Sequence, residues 1–303
     1  MSRTLVTVIC HKDRWSVELL CRTMEKYLHP CDVIFILNED NETANILNQW
    51  FQEMCMPHLI KKFNVRLYRK FQFWNIEDEC HLTQPEKEGW VDQQVLKLAI
   101  NEKIHTDDYL VLDSKNFFVR PCKCIDIKQI SPEPTDWCEP ILKNWITTCI
   151  ETFNFLPPEK SLRLTQNTTP YVIRTQSASD LIKYFGGVSS LYKWFTIEAR
   201  KDKHSPAEFF LYEIFTITHG WRNLGEVKQN CIAMWEHMIV RDKMTQQDFV
   251  KYFVRTFRDF DVKVAGLHKG LFKYWSHKEA MFILKRLGVY DCIPKTPSPF
   301  SAK

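Results

Sequence analysis

Glycine is scarce, with 8 residues in 303, and its placement excludes two common nucleotide sites. No G-x-G-x-x-G follows the first apolar run and no G-x-x-x-x-G-K-[ST] occurs anywhere, so neither a dinucleotide fingerprint nor a P-loop is present. No run rich in Gly, Ser or Pro divides the chain, which argues for one compact unit with an elaborated second half. No apolar stretch approaches the roughly 20 residues of a membrane span. The N-terminal MSRTLVTVIC carries one short apolar run without a small-residue cleavage site, and the chain reads as cytoplasmic. Charge of one sign is lacking as well. The 41 Lys+Arg against 37 Asp+Glu leave only +4, which points to no nucleic-acid partner but is compatible with small anionic ligands. Paired C-x-x-C spacing is missing among 11 cysteines. Reduced, mostly buried thiols are therefore expected in place of a disulfide framework or a zinc ribbon.

What is present is an alternation of periods. TLVTVIC (4–10), DVIFILN (32–38), NVRLYRKFQF (64–73) and DYLVLDS (108–114) read as strands. Between them RWSVELLCRTMEKYL, NETANILNQWFQEMC and GWVDQQVLKLAINEKI repeat their apolar residues at helical spacing. The pattern predicts an α/β fold with a mostly parallel sheet flanked by helices. Ligands of such sheets gather outside the carboxyl ends of the strands, so the candidates are His11 to Asp13, Asn38 to Asp40 and Asp113 to Asn116.

In the CHKDRW turn, Lys12 is suited to a phosphate and Asp13 to a base or ribose edge; a solvated loop with Asp13 opening the helix is the alternative. On the third helix Val91, Val95, Leu98 and Ala99 should face the sheet. Trp90, Gln94, Lys97 and Asn101 form a second stripe with Gln93 beside it. Facing a crevice, Gln93 and Gln94 could bind hydroxyls and Lys97 a phosphate; spacing alone favours a polar side turned to solvent. After residue 187 the patterns SSLYKWFTIEARK, PAEFFLYEIFTITHG, EVKQNCIAMWEHM, TQQDFVKYFVRTFRDF and SHKEAMFILKRLGV all read as helices. Trp194, Tyr212 and Trp221 are expected in the core, or stacked on a bound ligand if they line the crevice. The tail IPKTPSPFSAK is Pro-rich and reads as loose.

GWVDQQVLKL followed by YLVLDSKNFFVRP resembles a group of bacterial and viral GT-A-type glycosyltransferases. The resemblance continues in order through TPYVIRT (169–175), SPAEFFLY (205–212) and VAGLHK (264–269). It implies a single GT-A-like (Rossmann-like) domain over 1–303, with a nucleotide-sugar-binding half (1–121), a helix-rich acceptor-side half (122–290) and a flexible tail (291–303). The implied activity is hexosyl or pentosyl transfer from a nucleoside-diphosphate sugar to a glycan or related acceptor, as in polysaccharide biosynthesis. The alternative is a non-catalytic nucleotide-sugar or glycan-binding protein on the same fold. Asp113 matches the first acid of the family's strand-end Asp-x-Asp motif, which holds Mn²⁺ or Mg²⁺ against the diphosphate. Lys115 stands where the second acid is normally found, and so puts metal dependence in question. His268, with Lys269 beside it, matches a C-terminal histidine that completes the metal site or touches the diphosphate. Glu208 matches an acid at the acceptor mouth, placed to act as general base. Ser205, Pro206 and Glu208 also spell a capping box, which would turn the Glu208 carboxylate back onto its own helix. TPYVIRT and the threonine before it add Thr168, Thr169 and Arg174 near a strand.

Overall fold

The computed structural model describes residues 2–74, 85–127, 133–134, 140–155, 162–165, 168–201, 207–220, 231–234, 243–259 and 261–299. In chain order the elements are β1 (Thr4–Ile9), α1 (Arg14–Tyr27), β2 (Asp32–Leu37), α2 (Asn41–Met54), α3 (Met56–Leu59), β3 (Asn64–Arg69), α4 (Pro85–Ala99), β4 (Asp108–Asp113) and β5 (Asn116–Phe118). They continue with β6 (Glu133–Pro134), α5 (Pro140–Thr152), β7 (Arg163–Leu164), β8 (Tyr171–Arg174), α6 (Thr175–Tyr184), α7 (Val188–Arg200) and α8 (Glu208–Thr218). Last come β9 (Cys231–Met234), α9 (Gln246–Asp259), β10 (Val264–Leu267) and α10 (His277–Arg286).

A five-stranded sheet in the order β3-β2-β1-β4-β8 forms the centre. Its first four strands are parallel, and β8 runs antiparallel to β4. Successive side chains of a strand point to opposite faces, and here both faces are covered. Leu5, Ile9, Val33, Phe35, Leu37, Leu110 and Leu112 pack with Val17, Leu20 and Met24 of α1 and with Leu47 and Phe51 of α2. Val6, Val8, Ile34, Ile36, Tyr109 and Val111 pack with residues of α4, α6, α7 and α8. Burial on both sides is why these strands read as unbroken apolar runs. Among the described residues no helix is long and apolar enough to cross a membrane.

The second half contributes β9 and β10 to a three-stranded sheet, of which only β9 is not announced by the local pattern, the run ending in VAGL being strand-like. Cys231–Met234, inside a segment whose spacing predicts helix, is the strand β9; the rest of that segment lies outside the described residues. It pairs in parallel with β10, which pairs antiparallel with β5. A four-residue apolar run takes whichever backbone partner the tertiary fold offers, so β10 overrides the local period. Phe117, Ala265 and Leu267 of this sheet join Trp15 and Leu19 of α1 and Ile283 and Leu284 of α10 in a third core cluster.

The first residues of the expected tail are held at several points: Lys26 Nζ binds Asp291 at 2.8 Å, Cys292 is buried, and Trp50 Nε1 donates to Thr296 Oγ1 at 3.3 Å. Glu18, fully buried on α1, accepts hydrogen bonds from Arg22 Nε (2.8 Å), the backbone N–H of Lys295 (2.8 Å) and Thr296 (2.9 Å), and Thr296 Oγ1 (2.6 Å). Burial by itself would raise the pKa of Glu18, but these donors more than offset it and hold it below the ordinary value. A carboxylate whose folded pKa is depressed stabilises the fold above its unfolded value of about 4.3, and that stability is lost as the pH falls through the folded value. Glu18→Ala should therefore release residues 295 and 296 and cost about 3–5 kcal/mol at neutral pH, as for any buried ion pair that loses one partner. Amide exchange of Lys295 and Thr296 in parent and variant is the check. Protection should vanish in the variant at neutral pH, and in the parent only below about pH 4.3.

Candidate functional site

Because β1 to β4 are parallel, their carboxyl ends open on one edge of the sheet. The chain builds outward from β1 through β2 to β3, then returns to place β4 on the other side of β1. The ends of β1 and β4 therefore flank the switch point where open α/β sheets bind ligands. A hydrogen bond spans it: Ser114 Oγ donates to Asp13 Oδ2 at 2.8 Å, and Cys10 Sγ approaches the same oxygen at 3.2 Å. Asp13 thus ties two strand ends together and does not cap α1 through its side chain. Lys12 beside it is exposed. At the end of β2, Asn38 Nδ2 donates to Gly89 O of α4 at 2.8 Å, and Glu39 Oε1 accepts from the backbone N–H of His11. Asp40 caps α2 by accepting from Thr43 N at 2.8 Å.

Four charged side chains converge at the end of β4. Lys97 Nζ lies 2.8 Å from Asp113 Oδ1 and 2.8 Å from Glu208 Oε1, and Lys115 Nζ binds Asp113 Oδ2. They are not equally accessible. Lys97 and Glu208 are buried, their side chains 6% and 2% exposed, whereas Asp113 keeps 23% and Lys115 15%. Asp113 and Lys115 therefore face the crevice, while Lys97 and Glu208 form its buried backing. Burial would raise the pKa of Asp113, but Lys115 and Lys97 hold it well below the usual carboxylate range. Burial would likewise strip the proton from Lys97, yet Asp113 and Glu208 keep it charged and push its pKa up. For Glu208 burial prevails: its pKa is raised, and the pull of Lys97 offsets this only in part.

The expected polar stripe on α4 exists, but it does not face solvent. Gln94, Lys97 and Asn101 are all buried. Gln94 is a structural clamp, its Oε1 accepting from Glu208 N at 3.2 Å and its Nε2 donating to Trp90 O at 3.2 Å. Gln93 is half-buried beside it. Glu208 is the first residue of its helix, with Ala207 as the N-cap; Ser205 and Pro206, on which the capping-box expectation rests, lie outside the described residues. Against the expectation of an acid open to an acceptor, its side chain is nearly inaccessible and bound to Lys97.

The turn Ser114–Lys115 carries the chain from the central sheet into the second one. Asn116, fully buried, accepts from Asp113 N at 2.8 Å and from Thr169 Oγ1 at 2.7 Å, while Thr169 Oγ1 also receives Asp113 N at 3.3 Å. From behind, Leu267 N donates to Lys115 O at 3.0 Å. Gly266 opposes Asn116, and a Cβ there would stand 3.0 Å from Asn116 Nδ2. His268, one residue beyond that contact, is half-buried and accepts from Gly270 N at 3.3 Å through Nδ1. Lys269 opens the short 3-10 turn Lys269–Lys273. Asn116 and Thr169 are among the strand-end and near-strand candidates, and the structure makes both of them supports of the turn; Gly266, whose close approach to Asn116 comes from distant pairing, is the support that local pattern does not single out. Lys70–Asp92 (3.1 Å), at the end of β3, is a second buried ion pair on this edge.

Other expected features lie elsewhere. Tyr212 is buried, its OH accepting from Arg174 N at 2.9 Å, and Trp194 packs on Phe185 and Phe195. Both belong to the core, and Trp221 is outside the described residues. The nine described cysteines are free thiols. A hollow of about 370 Å³ lined by Asn101, Glu102, Ile182, Lys183 and Gly187 sits beside the connection leading into β4, away from the strand ends.

The residues at the strand ends do not suit a divalent ion. Among the described residues no three His, Cys, Asp or Glu side chains are placed to hold one. Both oxygens of Asp113 already receive an ammonium group.

An α/β sheet with a charged, lysine-rich crevice at its switch point is the class that fold and site define. The chain belongs to a family of unknown function, DUF6492, whose model matches residues 8–265, a span that runs from β1 into β10. No curated protein matches. Among solved structures, mouse xyloside xylosyltransferase 1 in its apo form is similar over 88% of this chain and 97% of its own, at 9% identity and a TM-score of 0.43. The apo bifunctional glycosyltransferase WbbM is similar over 88% of this chain and 45% of its own, at 9% identity and 0.47. GlyE, a glycosyltransferase of Streptococcus pneumoniae TIGR4, is similar over 92% and 56%, at 9% identity and 0.40. Such identities and scores assign no activity.

Removing the central cation tests this geometry. Lys97→Met leaves Asp113 and Glu208 buried without it and should cost about 3–5 kcal/mol at pH 7, read from urea unfolding. Without Lys97 the folded pKa of Glu208 rises further above its unfolded value of about 4.3. The loss should therefore be largest at neutral pH and shrink as the pH approaches 4, where the carboxyl is protonated in both states. Adding Glu208→Gln should recover part of it at pH 7.

Proposed function

We propose that the chain transfers a sugar from a nucleoside-diphosphate sugar to a hydroxyl of a glycan or related acceptor. One observation carries the reading: at the switch point, where phosphate-cradling glycine loops are absent, a partly open strand-end carboxylate, Asp113, is set between two lysines. The order of motifs from GWVDQQVLKL to VAGLHK supports the same assignment. In such a transfer the acceptor oxygen attacks the anomeric carbon, the bond from that carbon to the diphosphate oxygen breaks, its electron pair leaves with the diphosphate, and the acceptor's hydroxyl proton passes to the departing diphosphate or to water. Stabilising that departing charge is the main electrostatic task.

The roles follow from accessibility. Asp113 orients the donor and, through Lys97 and Lys115, the cations around it. Lys115, His268 and the exposed Lys12 are the residues for the diphosphate, and Asp13 for the nucleoside; Lys269 keeps the diphosphate role that the resemblance gives it. Glu208 holds Lys97 in place and is a positioning residue. Gln93 remains available for a donor hydroxyl, whereas Gln94 is engaged by the start of α8.

A second reading rests on a specific observation. The carboxylate assigned as base is buried and paired, which favours a protein that binds nucleotide sugars without turning them over. Release of free nucleoside diphosphate from a panel of nucleotide sugars, with and without glycan acceptors, separates the two. The transferase reading expects release from at least one donor, and a loss of about a hundredfold in folded Asp113→Asn, comparable to removing one electrostatic contact in an active site. A donor that binds but is never cleaved selects the binding protein, and equal turnover by Asp113→Asn would remove Asp113 from the mechanism.

A further inference from the structure

We infer that Lys115 takes the place of a divalent cation at the donor diphosphate and that Asp113 serves as its resting partner, so that the protein binds nucleoside diphosphates without a metal. The inference rests on the donor reading above. It starts from a mismatch between the residues and the ion that the Asp-x-Asp resemblance implies. To bind a divalent ion, Asp113 would have to release Lys115 from Oδ2 while Lys97 stayed on Oδ1 at 2.8 Å. The ion would then share one carboxylate with one ammonium and lie within a few ångströms of a second. Like charges at that distance in a partly buried site repel strongly.

The neighbouring groups have partners of their own, and among the described residues no three His, Cys, Asp or Glu side chains are placed to hold an ion. Asp13 Oδ2 is engaged by Ser114 and Cys10, Glu208 by Lys97, and His268 Nδ1 by the backbone of Gly270. The turn is also fixed: Leu267 N holds Lys115 O, and Asn116 with Thr169 holds the backbone of Asp113. Another acid therefore cannot enter the position of Lys115 through a local loop shift.

Lys115 itself suits a phosphate. An ammonium offers three donors and a compact positive charge, and lysines bind phosphate in that way elsewhere. Its partner Asp113 is the more open end of the cluster, so an arriving diphosphate can draw Lys115 away from Oδ2. Lys97 remains behind, so the Asp113 carboxylate keeps a counter-charge when Lys115 leaves. No proton moves in this exchange, and the cation that neutralises the leaving group is covalently part of the chain.

Calorimetric titration of the purified protein with UDP, GDP, CDP and ADP, in EDTA and again with Mn²⁺, tests this. At least one should bind in EDTA, with an affinity that Mn²⁺ changes by less than about tenfold, or about 1.4 kcal/mol. Lys115→Met should weaken that binding by about tenfold or more, Lys115→Arg should retain most of it, and Lys115→Asp should make binding depend on Mn²⁺. Thermal unfolding of each variant controls for the fold. Binding by the parent that appears only with Mn²⁺, or an unchanged affinity in Lys115→Met, overturns the inference and leaves the donor reading standing. Failure of all four nucleotides under both conditions overturns the donor reading and the inference with it.

Discussion

A single buried ammonium, that of Lys97, holds the strand-end site together. It lies between a carboxylate from the end of β4 and one from the first residue of α8, and 5.2 Å from the centroid of the Phe209 ring. An isolated charge cannot be kept in such a place, so each of the three groups requires the others. Three elements, one of them distant in sequence from the other two, are thereby fixed against one another: α4 carries the cation, β4 the acid that faces the crevice, and α8 the acid that does not. Gln94 reinforces the arrangement one turn earlier on α4 by accepting from the backbone of Glu208. Because Lys97 satisfies one side of Asp113, the other side is left to Lys115, and that second contact gives the crevice its chemical character.

Much of this fold is legible along the chain, for a physical reason. Strands buried on both faces must be apolar throughout, and helices that cover a sheet must be apolar on one stripe. The runs from TLVTVIC to DYLVLDS therefore announce a parallel α/β sheet, and Asp113 announces itself as the acid that ends β4. The stripe holding Gln94 and Lys97 was equally visible, but its environment was not. A helical period specifies which residues share a face and is silent about what that face meets. Lys97 finds Glu208 across 111 residues of sequence, a contact with no local signature.

Where short-range and long-range signals compete, the long-range contact prevails in this protein. Glu208 opens α8, a place where a carboxylate ordinarily faces its own helix end, yet the salt bridge to Lys97 draws it inward. CIAM sits in a helical period, yet pairing with β10 makes it a strand. That pairing matters for the site, because β10 in turn supports the turn through Lys115 and places Gly266 against Asn116. The second sheet thus acts as the support on which the strand-end lysine is mounted, and α10 and the core around Trp275 and Ile283 hold that support. A site of this kind needs rigidity behind it, since a point charge that replaces an ion must be held where the ion would have been.

The central claim is that the strand-end acid is committed to lysines and that the diphosphate is met by Lys115. A crystal structure of the protein with a bound nucleoside diphosphate, grown with Mn²⁺ present and measured for anomalous scattering at the manganese edge, addresses it most directly. The account predicts a phosphate oxygen within hydrogen-bonding distance of Lys115 Nζ, Lys97 still on Asp113, and no anomalous peak between Asp113 and the phosphates. A manganese peak coordinated by Asp113, with Lys115 turned away from the diphosphate, would contradict it.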